Sequence, residues 1–75
     1  MTPYRTIQPL IDSLSYADAA HAAALWYTQH IAPVDHAAAT TVAYQTLHAI
    51  DSGPFHPCTC DVVSALLLDD TLATL

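Results

Sequence analysis

Apolar positions recur along this chain at helical spacing, and three segments carry the pattern. In the first, Tyr16, Ala20, Ala23, Ala24, Tyr27 and Ile31 fall on one stripe, while Leu25 points nearly opposite and Trp26 about a quarter-turn away. That helix is therefore apolar on more than one side. In the second, His36, Ala39, Thr40, Ala43, Leu47 and Ile50 form an ordinary core face with Tyr44 at its edge. In the third, Leu66, Leu67 and Leu68 point in directions about 100° apart, and Ala65, Leu68, Leu72 and Leu75 share a face. At least one of those leucines has to find a second neighbour or meet water.

Local signals mark the ends of these segments. Ser15 followed by Asp18 has the spacing of a capping box and opens the first helix. Pro33, with Ala32 or its neighbour as cap and Asp35 in the first turn, opens the second. Asp51-Ser52-Gly53-Pro54 closes it, with Gly53 as the C-terminal cap, and Thr59 or Asp61 caps the third. Prolines at 3 and 9 predict an extended lead-in, with Ile7, Leu10, Ile11 and Leu14 forming a short helical turn. The expectation is a single all-α domain over residues 1–75, a three-helix bundle with helices at about 15–31, 33–51 and 59–74 and a short extended or helical N-terminal segment.

Composition adds a surplus of apolar surface. A domain of 75 residues buries only about 60 to 65% of the surface its unfolded chain exposes, yet 53% of these residues are hydrophobic. A homodimer or a permanent protein partner is the natural supplement. Leu25, Trp26, Leu66 and Leu67 are the candidate interface. No apolar run reaches the length of a membrane span, and the proline-broken N-terminus lacks the form of a signal peptide. These features predict no membrane partner and a cytoplasmic protein.

Charge narrows the partners further. Arg5 is the only basic residue besides the histidines, there is no lysine or glutamate, and the net charge is -6. So few cations give almost no counterion release to drive direct binding of nucleic acid. Asp69 and Asp70, with Asp51 and Asp61, form instead a candidate acidic edge for a partner with a basic groove. The aspartates are too scattered to imitate the regular phosphates of a duplex fully.

Two other patterns carry candidate chemistry. His56-Pro-Cys-Thr-Cys60 clusters metal-ligand types, with His48 within reach across the turn, so His56, Cys58 and Cys60 are candidate metal ligands. Only one residue separates the cysteines, where structural zinc sites favour two or more; the alternative is a pair of small buried thiols. The five histidines sit on no two adjacent helical turns and no catalytic unit is recognisable, so neither an enzyme nor a cofactor is expected.

Asp12-Ser13-Leu14 resembles the tripeptide at which acyl carrier proteins receive phosphopantetheine. In that family a full helix and a long loop precede the serine, whereas here about a dozen residues do, so Asp12 and Ser13 read as turn or cap chemistry. The functional expectation is a small acidic protein-binding inhibitor or regulator of a larger machine. Phage anti-defence proteins, including anti-CRISPR proteins, and toxin immunity proteins share its size and charge. A metal-binding or redox-responsive module and a structural subunit of a complex are the alternatives.

Overall fold

Alanine dominates the buried faces of the two helices that contact each other most extensively. The computed structural model describes residues 4–69, where the chain forms α1 (Tyr4–Asp12), α2 (Tyr16–His30), α3 (His36–Asp51) and α4 (Thr59–Leu68), with no strand. Contact is most extensive between α2 and α3. Ala19, Ala20, Ala23 and Ala24 on α2 and Ala39 and Ala43 on α3 are all fully buried. Side chains that end at Cβ let two backbones approach closely, and Tyr27, Leu47, Ile7, Ile11, Val62 and Leu66 fill the remaining core. Of the stripes expected for α2 and α3, Ala20, Ala23, Ala24, Tyr27, Ala39, Ala43 and Leu47 are in the core, whereas Tyr16, His36, Thr40 and Ile50 are half-buried and Ile31 is exposed.

The N-terminal segment takes its helical alternative, a helix of nine residues packed beside the three expected ones, so the described bundle has four helices. Pro9 lies inside α1, where it removes one backbone hydrogen bond and costs about 3 kcal/mol. Ile7 and Ile11, one turn apart, are both fully buried, and each contributes about 1.5 to 3 kcal/mol of hydrophobic burial. Together they offset the proline. The helix ends in a Schellman turn: Ser15 N–H donates to the Leu10 carbonyl at 2.8 Å, and Leu14 N–H donates to the Ile11 carbonyl at 3.0 Å. This arrangement puts Leu14 at φ 64°, in the left-handed region that glycine usually occupies.

The other boundaries differ in ways that matter for the site. Ser15 is the residue before α2, but its side chain makes no capping hydrogen bond, so the expected box with Asp18 does not form. Asp35 rather than Ala32 is the N-cap of α3, and residues 32–35 form a non-helical link. Ser52 caps the end of α3, and Gly53 follows without a left-handed φ. Cys58, not Thr59 or Asp61, is the N-cap of α4, while Asp61 accepts a hydrogen bond from the Cys58 backbone N–H at 3.2 Å.

The core face of α4 also differs from the expected one. It is Thr59, Val62 and Leu66, not the stripe through Ala65 and Leu68. α4 ends at Leu68, with Asp69 in extended conformation, instead of continuing toward residue 74. Asp70, Leu72 and Leu75 lie outside the described residues.

Candidate functional site

One glutamine ties α1 to α4. The Gln8 side-chain oxygen accepts from the Thr59 backbone N–H at 2.9 Å and from the Thr59 hydroxyl at 2.8 Å, while its amide donates to Asp12 at 2.9 Å. Thr59 is fully buried, and these bonds satisfy its polar groups. His56 Nε2 donates to the same Asp12 oxygen at 3.0 Å, linking the α3–α4 connection to the end of α1. Hydrogen bonds from Gln8 and then His56 hold the Asp12 carboxyl below the usual carboxylate range. Both partners of the His56–Asp12 pair are at least half exposed, so its main effect is to fix one loop against the other.

Two large apolar side chains lie on the segments which that contact joins. Leu14 lies two residues beyond Asp12 and is 67% exposed, and Phe55 immediately precedes His56 and is 75% exposed. On the α2 and α3 side, the Tyr16 hydroxyl donates to Asp51 at 2.8 Å. Partial desolvation, then the Asp51 hydrogen bond, raises the Tyr16 pKa. Leu14 and Phe55 are thus exposed on the α1–α2 turn and the α3–α4 connection, the two segments that the His56–Asp12 contact joins. Sequence periodicity missed this pair because both residues lie outside the long helices; the left-handed turn at Leu14 shows only in the backbone.

A second locus lies between α2 and α3. His36 Nε2 is 2.8 Å from His21 Nδ1, and the two rings line an open depression of about 310 Å³ with Ala22 and Leu25. The fold thus brings together two histidines that no helical spacing connects.

The interface residues expected from sequence have separated. Leu25 and Leu67 are each about half exposed, whereas Leu66 is fully buried and belongs to the core. That correction leaves Leu67 and the 80% exposed Leu68 as the apolar surface of the last turn of α4. Trp26 is partly buried against the core and stacks at a tilt near His30. Asp69 is half-buried, and Asp70 lies outside the described residues.

The expected metal cluster is also regrouped. His56 turns to Asp12, and His48 lies against the rings of Tyr16 and Tyr44. Cys58 is half-buried and Cys60 exposed, so the alternative of a buried thiol pair is also corrected. Among the described residues, the group able to hold a cation is Cys58, Cys60 and Asp61. Ser13 serves the turn, its hydroxyl donating to the Leu10 carbonyl at 3.1 Å.

No protein-family model matches the chain, and no curated protein or solved structure is significantly similar to it. Among the described residues, no helix is long and apolar enough to cross a membrane.

Proposed function

We propose that this chain is a small acidic protein-binding module, an inhibitor or regulator of a larger protein, and that it engages its partner through Leu14 and Phe55. The observation that carries this reading is the conformation of Leu14. A leucine in the left-handed region costs about 1 to 2 kcal/mol that glycine would not, and here the side chain is left mostly in water. Strain kept at an exposed position has a use outside the fold. Phe55, on the neighbouring connection, supplies the aromatic anchor common at the centre of protein interfaces.

Charge selects the kind of partner. Asp12 lies two residues before Leu14 and bonds His56, the neighbour of Phe55, and the whole chain carries a net charge of -6. The complementary surface is an apolar pocket with basic residues at its rim. A second copy of the chain would bring like charges together at this end.

Affinity capture from the source cells, followed by direct binding measurements with the purified captured protein, tests the proposal. Phe55→Ser and Leu14→Ser should each weaken binding at least ~10-fold, equivalent to ~1.4 kcal/mol, and added salt should weaken it further. Unchanged affinity in both variants, or binding that strengthens with salt, removes this surface from the function.

A further inference from the structure

We propose that Cys58, Cys60 and Asp61 bind a borderline-soft divalent cation of the zinc type, with two thiolates and one carboxylate as ligands and water in the fourth position. This proposal does not rest on the protein-binding reading. The two sulfurs are 3.0 Å apart, and one donor atom from each of the three residues lies within 4.8 Å of the others. Bond lengths of about 2.3 Å to sulfur and 2.0–2.2 Å to oxygen in a tetrahedron place the sulfurs roughly 3.8 Å apart. The pair needs to open by less than about 1 Å, a change within reach of the exposed Cys60 side chain.

Local backbone explains how so short a spacing works. Cys58 is extended, at φ -120° and ψ 149°, and Cys60 is the second residue of α4. At this junction between extended chain and helix, residues two apart bring their sulfurs together. The Cys58 backbone N–H holds one Asp61 oxygen at 3.2 Å, which orients the carboxylate and leaves its second oxygen for a cation. Between the cysteines, Thr59 is anchored by its two hydrogen bonds to Gln8, and the preceding Pro57 is fully buried. The donor set stands on fixed backbone.

Charge bookkeeping is simple. Each thiol releases one proton to solvent on ligation, so binding consumes no redox equivalent and liberates two protons when both thiols begin protonated. The position at the start of α4 favours the anionic ligands. His56, expected from sequence to be a ligand, is committed to Asp12 and takes no part.

Titration of the reduced full-length chain with Co²⁺, followed by Zn²⁺ competition, tests the site. One cobalt per chain is expected, with a sulfur-to-cobalt charge-transfer band, intense tetrahedral d–d bands and displacement by zinc. Cys60→Ser and Asp61→Asn should each weaken binding at least ~10-fold, while His56→Ala should leave it unchanged. Circular dichroism of each variant separates loss of ligation from loss of the helix, and the exposed Cys60 carries the test if Asp61→Asn unfolds α4. No charge-transfer band at saturating cobalt, one metal per two chains, or an effect of His56→Ala as large as that of Cys60→Ser overturns the assignment.

Discussion

His21 and His36 meet through facing ring nitrogens, with Nδ1 of the first 2.8 Å from Nε2 of the second, although they are 15 residues apart in sequence. The contact depends on where α3 begins. From His30 back to His21, α2 rises about 13 Å, and the non-helical residues before His36 can span such a distance at roughly 3.3–3.6 Å each.

One of the facing nitrogens must donate while the other accepts, so the bond requires at least one neutral ring. A double-mutant cycle over His21→Ala and His36→Ala should give a coupling of about 0.5 to 1.5 kcal/mol at neutral pH. Denaturant melts of the four proteins measure it, and a coupling indistinguishable from zero would show that the two rings do not support each other.

Leu14→Gly separates folding from binding. Glycine accepts the left-handed φ at no steric cost, and the exposed leucine loses little burial, so the variant should gain about 0.5 to 1 kcal/mol after allowance for the freer unfolded chain. That corresponds to a melting temperature higher by roughly 2 to 8 °C. The more stable protein should nevertheless bind its partner less well.

Gln8→Ala should be among the most damaging changes at a side chain not fully buried. It strips the buried Thr59 of the acceptor for both its N–H and its hydroxyl. Unsatisfied buried groups cost about 1 to 3 kcal/mol, and thermal melts should show the loss. A change within a few tenths of a kcal/mol would mean that water replaces the glutamine.

Acid and alkali should act at opposite ends of the molecule's stability range. Asp12 is held below its ordinary value of 3.8, so its contribution is complete above that pH in the unfolded chain and is lost as pH falls through the lower folded value. Asp12→Asn should flatten that acid limb. Tyr16 is raised above 10.0, so its contribution is complete below that pH and is lost as pH climbs toward the folded value. Tyr16→Phe should flatten the alkaline limb, and melts across the full pH range check both.

Self-association is the expected use of the last turn of α4, where Leu67 and Leu68 are 51% and 80% exposed. We expect a homodimer whose melting temperature rises with concentration and whose apparent mass falls to that of one chain in Leu68→Asp. Light scattering that shows one chain at every concentration rules it out.

The long helices were readable because their alanine stripes and flanking breaks agree, and the buried faces of α2 and α3 follow from three-and-four spacing alone. Only the later part of α1 is legible in the spacing of Ile7, Leu10 and Ile11; its full length through Pro9 is not, because the local penalty of the proline is offset only by the burial of Ile7 and Ile11. The face of α4 was misread because Leu66, Leu67 and Leu68 are equivalent to a periodicity argument, and contact with α1, α2 and α3 decides which one turns inward. Asp61 was considered as a helix cap and an acidic-edge residue; only the turn at Cys58 shows it to be a neighbour of both thiols. The His21–His36 pair and the Leu14–Phe55 surface depend on connections whose paths no residue pattern specifies.

The alanine contact between α2 and α3 also constrains how this sequence can drift. Ala19, Ala20, Ala23, Ala24, Ala39 and Ala43 have no exposed surface, so one added methyl group at any of them overpacks the core at a cost of typically 1–3 kcal/mol. Substitution to glycine opens a gap and loosens the helix by about 1 kcal/mol. Change in either direction is penalised at these six positions, whereas the outer faces of the same helices carry no such steric limit. It is therefore the buried interior and not the surface that bounds how far this sequence can move without refolding.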